Sequence, residues 1–180
     1  PVEGATNAEF TVRSAGIVLG ADVTFENITL SFENKHHDSI FANGHTLNLI
    51  NVTRGEGARK IDLFAGGLYE RTGNVDSVVP VYPIGDKGVI NIETNDNFSG
   101  SKMSTFGNIY AGSMNGKFDG SAEINVANKG EFKKLDLGAI KASGALEADA
   151  GNMFDMTEPD APSADPEKYP TNGNVSITLD

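Results

Sequence analysis

The chain has no cysteine and no tryptophan. Without thiols, neither a disulfide nor a thiolate-bound metal can hold the fold, so stability must come from burial and backbone pairing. Basic residues are scarce: 14 Lys and Arg stand against 25 Asp and Glu, for a net charge of -11 and a pI near 4.6. That deficit argues against nucleic acid or an anionic membrane surface as a partner, because both require clustered cations. No apolar run approaches the roughly 20 residues of a membrane span, so membrane insertion is not expected. The opening Pro1-Val2-Glu3-Gly4 lacks the basic and apolar regions of a secretory signal, and the chain reads as a processed protein or an excised domain.

What is abundant is glycine, 21 of 180 residues, while apolar residues reach only 38%. A single domain with many tight turns and a slender core is the expectation. Its organising feature is a repeat. Val23-Thr24-Phe25-Glu26-Asn27-Ile28-Thr29-Leu30 is answered by Leu47-Asn48-Leu49-Ile50-Asn51-Val52-Thr53-Arg54, 24 residues on. Short strand-forming copies at that distance, separated by Gly, Asn and Asp, are the mark of coils stacked on coils. Further strand-like segments follow at Ile61–Tyr69, a strand and turn, and at Val89–Ile92, Gly107–Gly112, Ala122–Val126 and Phe132–Leu137. Asn followed by an apolar residue recurs at Asn27, Asn51, Asn74, Asn97 and Asn125, which suggests amides stacked at successive corners. The fold class is therefore all-β, a solenoid of roughly seven coils of about 23 residues each, with a β-sandwich as the alternative.

Two local features bear on that reading. Asn43-Gly44 between apolar runs is either a tight hairpin or a corner between two strands of one coil, and the corner is favoured because the repeat spans it. Pro80 and Pro83 confine their region to an edge or an excursion, since proline cannot donate to a ladder. Residues 1–156 form the expected solenoid domain, 157–173 a proline- and acid-rich loop or linker, and 174–180 a terminal strand. From Glu147 onward eight acids face one Lys.

The phrases Val23–Leu30, Ile40-Phe41-Ala42-Asn43-Gly44-His45-Thr46-Leu47 and Gly107-Asn108-Ile109-Tyr110-Ala111-Gly112 resemble right-handed parallel β-helix regions of bacterial cell-surface and adhesin-like proteins, a pectate-lyase-like solenoid. The resemblance covers residues 10 to 150 and is one of style rather than of a diagnostic motif. It implies an exported protein, extracellular or at the cell surface, and part of a larger surface protein. Its coil faces would display a binding surface for a host or environmental glycan or protein, or serve as a stalk. Related polysaccharide lyases and hydrolases of this fold carry Asp, Arg or Lys clusters on one face. A carbohydrate-active enzyme, or a fragment of one, is thus the alternative to a non-enzymatic adhesion or spacer module.

Candidate chemistry is sparse. His36-His37-Asp38 is poorly placed to chelate, because adjacent residues on an extended chain point to opposite sides. His45 has no Ser or Cys motif beside it to activate. Glu93, Asn95, Asp96 and Asn97 offer oxygens for Ca²⁺ without the regular spacing of a calcium loop, and Asp149, Asp155, Asp160 and Asp165 share that difficulty. No cofactor is expected beyond that weak case for Ca²⁺. Coiling could gather Asp62 with Arg54, Arg59 or Lys60 on one face for glycosidic chemistry. Tyr69, Tyr82 and Tyr110 would make a sugar-stacking platform if exposed, and are otherwise packing residues. The binding candidates are Tyr69, Tyr82, Tyr110, Asp62 and Arg54, with no catalytic residue assigned.

Overall fold

The computed structural model describes residues 8–13, 16–33, 38–55, 60–71, 78–95, 104–129, 135–145 and 171–180. Among them the chain is all-β, and its main sheets are parallel. No helix there is long and apolar enough to cross a membrane, which leaves β-barrel insertion unaddressed.

The first eight strands visit three sheets in rotation. β1 (Ala8–Val12), β2 (Ile17–Val18) and β3 (Val23–Glu26) each begin one. β4 (Ile28–Phe32), β5 (Ser39–Phe41) and β6 (Thr46–Ile50) then pair in parallel with them in the same order. β7 (Thr53–Arg54) and β8 (Ile61–Phe64) add to the first and second sheets. A short antiparallel hairpin of β9 (Tyr69–Arg71) and β10 (Val78–Pro80) follows, where the prolines lead the chain away from the ladders. β11 (Lys87–Thr94) and β13 (Ser121–Asn128) extend the third sheet, and β12 (Ser104–Tyr110) extends the second. β14 (Leu135–Asp136) and β15 (Ile140–Lys141) both pair with β12, and β16 (Val175–Leu179) pairs with β13.

The strands form where the sequence alternates. In β6, β11 and β13 every second residue is buried and its neighbours are not, so one face turns to a core of Leu47, Leu49, Ile90, Ile92, Ile124 and Val126. The corners form where asparagine can adopt a left-handed backbone. Asn27, Asn43 and Asn51 have φ of 53°, 54° and 51°, and Gly44 has 76°. A Cβ on Gly44 would run into the Gly85 carbonyl, so that corner needs glycine on two counts.

The repeat pairs in the register that the sequence suggests. Thr24 lies beside Asn48 and Phe25 beside Leu49. Asn51 Nδ2 donates to Asn27 Oδ1 at 3.0 Å and to Asn95 Oδ1 at 2.8 Å. The corner ladder is real, but its third rung is Asn95. Asn74 and Asn97 lie outside the described residues, and Asn125 belongs to a different row on the face of β13. Asn43-Gly44 is a corner and not a hairpin, since β5 and β6 lie in different sheets. Among the described residues the third sheet holds five strands, and the steps between matched residues lengthen from 24 to 43 and 34 once the hairpin and other insertions enter. An antiparallel sandwich is not what forms: β9 with β10 is the one antiparallel pair among the described strands.

Candidate functional site

Side chains from β5, β8, β12 and β15 converge on the outward face of the second sheet. In β8, Ile61 and Leu63 point into the core, so Asp62 and Phe64 must point out. Register then places Ser39 beside Asp62, and Phe41 beside Phe64. On the other side β12 carries an irregularity between Phe106 and Ile109, which inserts Gly107-Asn108 and turns the Asn108 N–H onto Asp62 Oδ1 at 2.6 Å. A Cβ on Gly107 would collide with that carboxylate, so the close approach requires glycine. Asn108 Nδ2 in turn donates to the Tyr110 hydroxyl at 3.2 Å, while its Oδ1 accepts from the Ala139 N–H.

Beside Asp62 runs an aromatic stack. Phe41 and Phe64 have centroids 5.0 Å apart, and Phe64 and Tyr110 4.6 Å apart with an interplanar angle of 8°. Lys141 closes the row with its ammonium 5.5 Å from the Tyr110 ring centre. With Met114 and Ala145 the three rings form a second buried apolar cluster, separate from the main core. Asp62 is 6% exposed and Asp38, whose carbonyl accepts the Asp62 N–H, is 7% exposed. Burial pushes the Asp62 carboxyl from 3.8 up to about 7; the Asn108 N–H and the Lys141 charge pull it back, and Asp38 adds to the rise. Two acids, one of them titrating near neutrality, sit with a lysine in an apolar wall. Such a group can hold or release one proton, but it offers little surface to a ligand.

The other candidates are dispersed. Arg54 stands in the first sheet beside Leu30, and the charges acting on Asp62 are those of Lys141 and Asp38. Lys60 pairs with Asp136 at 3.0 Å, and Arg59 lies outside the described residues. Tyr110 is fully buried in the stack. Tyr69 is half-buried against Gly116 and donates its hydroxyl to the Lys117 carbonyl at 2.8 Å. Tyr82, 56% exposed, is the most exposed ring of the three. It stands at a recess of about 500 Å³ lined by Leu19, Asn43, His45, Pro83 and Ile84 among others. That recess is fixed largely by the Asn43 side chain: Asn43 Nδ2 donates to the Leu19 and Pro83 carbonyls at 3.1 and 3.0 Å, and the Gly85 N–H donates to the Asn43 carbonyl at 3.0 Å.

Of the oxygens considered for Ca²⁺, those of Glu93 and Asn95 are otherwise engaged. Glu93 Oε2 takes Lys129 Nζ at 2.8 Å and its Oε1 takes Asn95 Nδ2 at 3.2 Å, while Asn95 Oδ1 serves the corner ladder. Asp96, Asn97, His36, His37, Asp149, Asp155, Asp160 and Asp165 lie outside the described residues. Among the described residues no three His, Asp or Glu side chains gather where they could hold a metal ion. Asn108 and Lys141 are the site members that sequence reasoning misses, and Asp38 enters it only as part of His36-His37-Asp38. The one available signal is Gly107-Asn108, which breaks the alternation between Phe106 and Ile109. No family model matches the chain, and neither a curated protein nor a solved structure matches it.

Proposed function

We propose that the three parallel sheets are the faces of one right-handed parallel β-helix, and that the chain is a non-enzymatic, extracellular module of a bacterial surface protein. In this reading it acts as a spacer and presents a glycan-binding recess at Tyr82. The observation that carries the proposal is the unbroken row Thr24, Asn48, Asn91, Asn125 and Thr178, one residue from each strand of the third sheet, all in parallel register. Coils that stack so regularly build a rod, and a rod suits a stalk. Tyr82 supports the binding role because it is an exposed ring over a recess whose walls are already hydrogen-bonded in place. The strongly acidic composition favours a neutral glycan over an anionic one.

A glycan array probed with the chain and with Tyr82→Ala tests this, with release of reducing ends followed in parallel. Binding lost in the variant, with no turnover, is the expected result. The second reading, a carbohydrate-active enzyme, draws on Asp62, which titrates near neutrality beside Asp38 and Lys141 as a general acid would. Its burial counts against it, because a polysaccharide oxygen must come within hydrogen-bond reach of the acid. Turnover of any polysaccharide, abolished by Asp62→Asn, would reverse the preference.

A further inference from the structure

A second recess adjoins the one at Tyr82. It encloses about 270 Å³ and is lined by Tyr69, Pro80, Asp86, Phe118 and Asp119 among others. Ile84 and Gly85 belong to both recesses and form the wall between them. The two lie side by side at the C-terminal ends of four successive strands of the second sheet, with Leu19 and Asn43 just past β2 and β5, and Tyr69 and Phe118 beyond β8 and β12. Two strand spacings, roughly 10 Å, separate them, so no single sugar ring reaches both. The shared wall is clamped. The Gly85 N–H donates to the Asn43 carbonyl at 3.0 Å, and the Asp86 carbonyl accepts the Ser121 N–H at 2.9 Å. A Cβ on Gly85 would run into the Gly44 carbonyl and one on Gly120 into the Asp86 carbonyl, so both contacts require glycine. A wall held in this way needs little further ordering when a ligand arrives.

The two recesses differ in chemistry. The first offers Tyr82, Leu19, Pro83 and Ile84 to the apolar face of a sugar. The second offers carboxylates, which accept hydrogen bonds and donate none. Lys117 Nζ and Asn172 Nδ2 reach Asp119 at 2.9 and 2.6 Å and hold its carboxyl below the usual range. The Asp86 carboxylate is exposed and bonded to no other described residue. Sugar hydroxyls are donors that suit both acids, whereas a uronate or sulfate would be repelled by them. We propose that the two recesses are consecutive subsites for one linear, neutral oligosaccharide, stacked on Tyr82 at one end and hydrogen-bonded through its hydroxyls to Asp86 and Asp119 at the other. This assignment rests on the glycan-binding reading of the Tyr82 recess, and adds to it a minimum ligand length and a selectivity by charge.

Calorimetric titration of the chain with glucose, mannose, galactose and N-acetylglucosamine, and with their linear oligomers up to the hexamer, tests it. In the series that binds, affinity should rise at least about tenfold between monomer and tetramer and then level off. Galacturonate oligomers of the same length should bind at least about tenfold more weakly than the neutral ones. Asp86→Ala should remove most of the gain with length, and Tyr82→Ala should abolish binding at every length. The Asp86 side chain is exposed and the wall is clamped through its backbone, so the variant should keep its fold, which circular dichroism checks; Asp119→Ala is the second variant. A monomer bound as tightly as its tetramer, with binding lost in Tyr82→Ala, would overturn the second subsite and leave the first recess a binding site. So would a gain with length that survives in both Asp86→Ala and Asp119→Ala, or a preference for the galacturonate series. No binding by any series would overturn both readings.

Discussion

The outward faces of the second and third sheets are built from the same parallel ladder and treat polarity in opposite ways. On the third sheet the outward row is Thr24, Asn48, Asn91 and Asn125, half-exposed or exposed, each amide bonded to the rung before it at 2.7–3.0 Å. On the second sheet the outward row is Phe41, Phe64 and Tyr110, stacked and withdrawn from water, with Asp62 buried beside it. Identical backbone spacing thus supports an amide ladder where water competes and an aromatic ladder where it does not. Stacking at roughly 4.8 Å suits both groups, and the surroundings decide which contributes more. The carboxyls differ in the same sense. Lys129 and Asn95 hold the Glu93 carboxyl below its usual range, and Asn125 and Lys87 do so for Glu123, whereas Asp62 is raised by burial.

The comparison breaks most easily at the aromatic stack. Phe64→Ala removes a fully buried ring sandwiched by two others and should cost about 3–5 kcal/mol in urea unfolding. The pH dependence is next in size. Asp62 binds its proton more tightly folded, at about 7, than unfolded, at 3.8, so its contribution is full below 3.8 and is lost as pH rises toward 7. The loss is up to about 4 kcal/mol at about 1.4 kcal/mol per unit. Asp62→Asn keeps the acceptor for the Asn108 N–H and should flatten that slope and stabilise the chain at alkaline pH. Glu93 and Glu123 act oppositely: the stability they add is present above 4.5 and disappears as pH falls through their depressed values. Urea titrations of wild type and Asp62→Asn across pH separate the two trends.

Asn51→Ala should cost roughly 2–3 kcal/mol, because it removes bonds to Asn27 and Asn95 and places a Cβ residue without a side-chain amide at φ 51°. Asn91→Ala, in the half-exposed row, should cost about 1 kcal/mol. Lys87→Ala breaks a 2.7 Å pair with Glu123 in which both side chains meet water, and should cost less than about 1 kcal/mol. Melting curves that ranked Asn91 above Phe64 would reverse the contrast between the two faces.

The sequence discloses the third-sheet side of this contrast far better than the second. Asn27 and Asn51 repeat their neighbours at a constant offset, so their equivalence can be read from the residues alone. Beyond Asn51 the steps change with each insertion, and a fixed count carries Asn125 to the corner when it belongs on the face of β13. Phe41 and Phe64 are separated by 23 residues and Phe64 and Tyr110 by twice that, but the position between them, Lys87, opens β11 in the third sheet, so the period alone does not disclose the stack. Asp62 and Tyr110 can be singled out as residue types, yet their setting depends on Asp38, Asn108 and Lys141, which only the register of distant strands brings near. Tyr69, Tyr82 and Tyr110 share a chemistry and not a location.

The proposed winding is tested most directly by cross-linking, which the absence of native cysteine makes clean. Neighbouring strands lie roughly 4.8 Å apart, within the range of about 4.4–6.8 Å between Cα atoms that a disulfide spans, while alternate strands do not. Thr24→Cys with Asn48→Cys, and Asn91→Cys with Asn125→Cys, should therefore cross-link readily under mild oxidation, and Thr24→Cys with Asn91→Cys should not. Failure of the first two pairs, or efficient closure of the third, would contradict the stacked register.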